Sequence, residues 1–217
     1  MTEPAPRSSR AERTRAAILA AAESCFAERG FSATRLEDVA EAVGIRRASI
    51  VYHFRDKRAL YEAVLASVLE GFRERLQAAL APPGPLLARI EAGIGAWVDY
   101  VGARPSLARL LLREVADASP ETPPALLRHI EPFVALVERF RDETRDDPLA
   151  LSRPIDPVHL ASAVVGSTVF FVAAMPGLVP DDSFDPLGRT ELEAHRREVL
   201  RITRRLLGAD RAREASP

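Results

Sequence analysis

The feature that most restricts how this chain can fold is Gly44, set between two short segments of helical periodicity. It lies within Arg35 to Phe54, R-L-E-D-V-A-E-A-V-G-I-R-R-A-S-I-V-Y-H-F. Before it, Leu36, Val39, Ala40 and Val43 recur at spacings of three and four and share one face of a helix. Glycine enters the left-handed region without a Cβ penalty, so the helix ends there and the chain turns. After it, Ile45, Ile50 and Phe54 give a second helix its inward face, and the small Ala40 suits the crossing. A capping box is expected at Thr34-x-x-Glu37, the Thr34 hydroxyl meeting the orphan N–H groups of the first turn. The outward face of the second helix is then Arg46, Arg47, Ala48, Ser49, Val51, Tyr52 and His53. It carries donors and cations and no acid, which suits a groove lined with phosphate. A solvated αα-hairpin is the plainer alternative.

The flanks favour the first reading. Arg13 to Gly30 is a helix with Ile18, Ala22, Cys25 and Phe26 on one side, and it ends in a glycine stop followed by Phe31. Tyr52 to Leu60 leads directly into another long helix, with Asp56 as its cap. The three motifs I-L-A-A-A-x-x-x-F-A-E-R-G-F, T-x-x-x-V-A-x-A-V-G-I and Y-H-F-x-x-K-x-x-L occur in that order over roughly residues 13 to 65. Together they resemble the N-terminal domain of the TetR family. The remainder of the chain matches that family only in length and helical character.

The resemblance implies a DNA-binding transcriptional regulator, most simply a repressor released by a small ligand. Ser49, His53 and Lys57 match family positions that contact phosphate, and Thr34 and Arg35, at the start of the first hairpin helix, are expected at the DNA as well. Arg46, Arg47 and Ala48 lie where side chains reach base edges, and arginine to guanine is the most frequent such pairing. The family usually has tyrosine at the position of Val51, whereas this chain has its tyrosine at Tyr52. Val51 on a thymine methyl and Tyr52 on a phosphate are both open. The expected partner is a double-stranded operator built as an inverted repeat.

Charge distribution agrees with a localised interface. The chain as a whole has a net charge of −1, but residues 1–60 hold 11 Lys+Arg against 8 Asp+Glu. The rest is correspondingly acidic. A single cysteine excludes an intrachain disulfide, and Cys25 is read as core packing. No phosphate-binding glycine loop, nucleophile elbow, zinc-protease motif or Cys/His cluster occurs, and His53, His129, His159 and His195 are scattered. No enzyme, cofactor or metal is expected. Residues 1–9 lack an apolar core segment of a signal peptide, so a cytoplasmic protein is expected.

The expected fold is all-α: a disordered arm over 1–9, a three-helix helix-turn-helix domain over 10–56, a larger helical regulatory and dimerisation domain over 57–208, and a tail over 209–217. Breaks fall at Pro82-Pro83-Gly84-Pro85 and at Ser119 to Pro124. The helix from Lys57 to about Ala81 runs from the reading domain into the body and is the natural mechanical link. Val158 to Met175, after Asp156-Pro157, is the most apolar stretch; it contains His159, Ser162, Gly166, Ser167 and Thr168. Those polar residues argue against a membrane span and for a helix needing a partner. Leu192, His195, Val199, Ile202 and Leu206 form a heptad-like seam on the last helix. The two helices read as half of a four-helix interface between two copies, with use of both faces inside one chain as the alternative. The resemblance implies a small-molecule pocket in the body, for which Trp97, Tyr100, Phe133, Phe170, Phe171 and Met175 offer a lining. Glu114 falls on an apolar helix face and needs a partner, either a ligand or an internal arginine or helix cap.

Overall fold

The computed structural model describes residues 10–118, 124–152, 156–181 and 183–207. The arm at 1–9, the tail at 209–217, residues 119–123 of the second break and Asp182 lie outside the described residues. Every regular element among those described is helical. The chain forms two compact units, Met1–Ser67 and Val68–Pro217. The division falls inside a helix, whose first turns belong to the first unit, where Tyr61 packs on Phe26 and Phe31.

In the first unit α1 (Arg10–Ala33) bends at Gly30, whose φ of 79° no β-carbon-bearing residue adopts without strain. The bend lets Phe31 meet Tyr61 at 5.1 Å, and Phe26 meets Tyr61 edge-on at 4.8 Å. Helix α2 (Leu36–Val43) ends at Gly44, φ 72° and ψ 33°. There the Gly44 and Ile45 N–H groups donate to the Glu41 and Ala40 carbonyls at 3.0 and 2.9 Å. Helix α3 (Arg47–His53) is held by Ile50 and Phe54, both buried.

Capping differs from expectation by one residue. Arg35, not Thr34, is the N-cap of α2, and its backbone N–H donates to the Asp38 carboxylate at 2.8 Å. That bond, with Arg29 at 3.2 Å, holds the Asp38 carboxyl below its usual range. Thr34 is only 1% exposed, and its hydroxyl donates to the Gly30 and Cys25 carbonyls at 2.7 and 3.1 Å. The kinked end of α1 has orphan carbonyls close by, and they claim the hydroxyl first. Cys25 is buried, which pushes its thiol pKa up.

Helix α4 (Lys57–Leu80) starts on Asp56, whose carboxylate accepts from the Ala59 N–H at 2.7 Å. The second unit is built on α5 (Leu86–Ala103), which buries Ile90, Ile94, Trp97, Val98 and Val101. Asp147 caps it from a distance, accepting from the Leu86 N–H at 2.8 Å. Around α5 stand α6 (Ser106–Ala116), α8 (Pro148–Ser152), α10 (Ser167–Ala173) and α11 (Arg189–Leu206). A 3₁₀ turn at Ala125–His129 leads into α7 (Glu131–Glu143).

The apolar stretch is not one α-helix. Helix α9 (Pro157–Ala161), capped by Asp156, passes through a π-helical turn at Ser162–Gly166 before α10. The Ser167 and Thr168 hydroxyls both donate to the Val164 carbonyl, at 3.1 and 3.0 Å, and so compete with the α-helical ladder there. Among the described residues no helix is long and apolar enough to cross a membrane.

The seam on α11 divides into two faces. Val199 is 4% exposed and buried within the chain, as is Thr203, whereas Ile202 is 50% exposed and Leu206 is exposed as well. Helix α11 lies against α5, and Arg196 and Arg204 pair with Asp99 and Glu91 of that helix. At Gly102 the Leu192 side chain lies so close that an added β-carbon would oblige it to shift. Val199 therefore leaves the expected intersubunit seam. Packing within the chain takes the face that an isolated heptad pattern assigns to a partner.

Candidate nucleic-acid interface

With Ile50 and Phe54 turned inward, the other side of α3 is presented to solvent. Arg46, Arg47 and Ala48 are exposed at its start, Ser49 and His53 are half-buried, and Val51 and Tyr52 are exposed, Tyr52 to 83%. Tyr52 and His53 meet edge-on at 5.1 Å. An open niche of about 430 Å³ lies beside this face, lined among others by Arg35, Glu37, Arg47, Val51, Arg55 and Asp56. The sequence reading of α3 as a surface without acid is true of the helix alone. Glu37 projects from α2 and places its Oε1 2.9 Å from the Arg47 Nε. It was missed because its only sequence signal was the capping box, which Asp38 fills instead.

Two of the residues expected at the DNA have internal partners in this structure. Thr34 has no free hydroxyl to offer a phosphate, for the reason given above. Lys57 does not present its ammonium outward: Nζ donates to the carbonyls of Phe31, Ser32 and Thr34 at 2.8, 3.2 and 3.0 Å. An ammonium has three donors, so all three are occupied. It also sits 4.5 Å from the centre of the Phe31 ring, within cation–π range. Lys57 thus closes the carbonyl end of α1 against the start of α4.

In the second unit the expected pocket residues separate into two groups. Phe72 packs on Trp97 at 4.8 Å, Tyr100 at 5.7 Å and Phe133 at 5.6 Å, so these form one aromatic centre. Phe72 stands outside the lining expected from the sequence. The Tyr100 hydroxyl donates to the Val68 carbonyl at 2.7 Å and accepts from Arg104 at 3.0 Å. The Trp97 indole N–H is buried and has no hydrogen-bond partner among the described residues. Phe171 instead stacks on His195 with ring centres 4.2 Å apart, and Phe184 meets Phe171 edge-on. Phe170 is about half exposed, and Met175 opens a 3₁₀ turn. Glu114 is explained within the chain: its Oε2 accepts from the Leu126 N–H at 3.0 Å, the helix-cap alternative. Burial of His195 lowers its pKa, and its Nε2 lies 3.2 Å from the Thr168 hydroxyl.

A glycine-turned helix pair that buries one face of its second helix and offers the other as a cationic ridge defines the helix-turn-helix class of DNA-binding regulators. The particular family follows from comparison with known proteins. The model of "Bacterial regulatory proteins, tetR family" matches residues 18–64. The HTH-type transcriptional regulator RutR of Escherichia coli (strain K12) is 31% identical over 164 residues, which is 74% of this chain and 74% of RutR. The chain belongs to the TetR family of transcriptional regulators. FadR from Bacillus subtilis, solved in complex with stearoyl-CoA, has the same fold: TM-score 0.66 at 16% identity, covering 86% of this chain and 96% of FadR. AibR, solved with isovaleryl coenzyme A and operator DNA, gives a TM-score of 0.64 at 20% identity, covering 86% of this chain and 96% of its own.

Proposed function

We propose that this regulator acts as a homodimer on an inverted-repeat operator, as a repressor released by a small molecule. The observation that carries the reading is the outward face of α3. Arg46, Arg47 and Ala48 lie where base edges come within reach, while Ser49, Tyr52 and His53 are placed to donate to flanking phosphates. Val51, also exposed, is placed for a thymine methyl, and Arg35 guards the start of α2. Residues 10–56 are the DNA-binding domain in this proposal, and 57–208 the regulatory and dimerisation domain.

Exposed apolar residues support a dimer through the last two helical segments. Val158 and Phe170 on α9 and α10, and Ile202 and Leu206 on α11, are all solvent-accessible in the single chain. A β-carbon at Gly166 would meet nothing within 4 Å, so a second backbone has room to approach. The effector site is assigned to the aromatic centre of Phe72, Trp97, Tyr100 and Phe133. A buried donor left unpaired typically costs about 1–3 kcal/mol, so the Trp97 N–H favours a ligand with an apolar body and a hydrogen-bond acceptor. FadR and AibR, whose structures hold acyl-coenzyme A thioesters, support the use of this fold for ligand sensing. Helix α4 contributes residues to both units and is the covalent route for the coupling.

The test is selection of bound fragments from genomic DNA, with an inverted repeat of half-sites about one DNA turn (~34 Å) apart as the expected product. An asymmetric single half-site held by one monomer would overturn the dimer. Trp97 is the sole tryptophan, so its emission reports ligands found by thermal shift. By thermodynamic reciprocity, operator DNA should weaken a true effector by the factor with which the effector weakens operator. Trp97→Phe should leave operator affinity intact and remove release; unchanged release would move the site elsewhere.

A further inference from the structure

We propose that Glu37 is a specificity-setting residue of the DNA interface: it buttresses Arg47 for base reading, and its charge opposes indiscriminate approach to phosphate. The proposal rests on the reading of Arg47 as a base contact. It starts from the one-residue shift of the α2 cap. Because Asp38 takes the Arg35 N–H, the carboxylate of Glu37 is not used at the helix end and extends toward α3. Its two oxygens serve different arginines, Oε1 at 2.9 Å from the Arg47 Nε and Oε2 at 3.8 Å from the Arg35 Nε.

The atom through which Arg47 is held matters. Its closest approach to the carboxylate is by Nε, on the stem side of the guanidinium, whereas the two terminal amino groups form the outer fork of the plane. A bidentate pairing with guanine O6 and N7 can use that outer fork. Arg47 can thus keep Glu37 while it reads a base, and its orientation is biased toward that geometry before binding. An unbuttressed arginine would have to be ordered at the moment of contact. Both side chains are about half exposed, so the pair alone shifts an equilibrium by at most about fivefold and does not lock Arg47 away.

The second effect is electrostatic. Glu37 lines the niche beside α3 together with Arg35, Arg47 and Arg55. On a random duplex those arginines gain mainly from phosphate, and a carboxylate among them subtracts from that gain. On the correct base the subtraction is offset by the positioning of Arg47. Both effects act on discrimination in the same direction, while on the selected site the gain from positioning and the electrostatic loss oppose each other.

The experiment compares the wild-type full chain, Glu37→Gln, Arg47→Ala and the double variant. The probes are the selected inverted repeat and a random-sequence duplex of equal length, followed by fluorescence anisotropy over a range of salt. Glu37→Gln should tighten the random duplex about two- to fivefold, leave the selected site unchanged or weaker, and lower their ratio about two- to tenfold. In the Arg47→Ala background the part of that loss tied to the Arg47-read base pair should vanish. Equal tightening of both duplexes, or an undiminished Glu37→Gln effect without Arg47, would overturn the buttress. If Arg47→Ala left base preference intact at every position, the base-contact reading would fall and the proposal with it. Loss of preference in Arg47→Ala with no effect of Glu37→Gln would overturn the buttress alone.

Discussion

Lys57→Ala separates two accounts of one residue. As a phosphate contact, Lys57 would contribute to DNA affinity and little to folding; as the structure places it, the order is reversed. Its ammonium makes three charged hydrogen bonds to the carbonyls of Phe31, Ser32 and Thr34 and lies over the Phe31 ring. A hydrogen bond to a charged group contributes about 1.5–3 kcal/mol net, and a partly exposed cation–π pair about 0.5–1 kcal/mol. The three bonds share one donor group and the carbonyls regain water when it is removed, so the sum is well below additive. We expect a loss of about 2–4 kcal/mol, confined to the first unit. The sole tryptophan, Trp97, belongs to the second unit and will not report it. Hydrogen exchange at the hydrogen-bonded amides of Thr34 and Arg35 is the suitable assay, with protection reduced by a factor corresponding to that energy. The log–log salt slope for a random duplex should be nearly unchanged, whereas a lost phosphate contact lowers it by about 0.9. Full amide protection together with a lower slope would refute the capping role and restore the phosphate contact.

Three further outcomes are expected. Ile202→Asp should give monomers by light scattering while the second unit keeps its melting behaviour; a stable dimer would place the interface away from α11. Val199→Ala removes two buried methyl groups and should instead destabilise the chain by about 1.5–3 kcal/mol with its oligomeric state unaltered, read by denaturant titration of Trp97 emission. The His195 pKa is lowered by burial, so the unfolded chain binds the proton more readily than the folded one. Its contribution to stability is complete above the ordinary value of 6.5 and declines as pH falls from 6.5 through the lower folded value; His195→Phe should flatten that part of the profile.

Much of the first unit was legible in the sequence, because its determinants are local. Gly44 enters a left-handed conformation whatever surrounds it, and the spacing of Leu36, Val39 and Ala40 fixes one apolar face. Asp56 caps α4 and Asp156 caps α9 through N–H groups two and three residues away, so these helix starts too are written in adjacent residues. The same locality left Arg46, Arg47 and Tyr52 on an outward face once Ile50 and Phe54 were turned in.

What only the tertiary structure decided is where a group finds its partner when several are within reach. Thr34 and Glu37 fit a capping box by spacing, yet the kinked end of α1 takes the Thr34 hydroxyl and Arg47 takes Glu37. Lys57 could face phosphate or protein, and three carbonyls that lie 23 to 26 residues earlier in the chain decide for protein. Val199 and Ile202 belong to one heptad pattern, but packing within the chain covers the first and leaves the second to solvent. Periodicity states that a face is apolar and says nothing about which neighbour covers it. A charged or polar side chain likewise reaches several ångströms in many directions, and its partner is set by backbone that arrives from elsewhere in the fold.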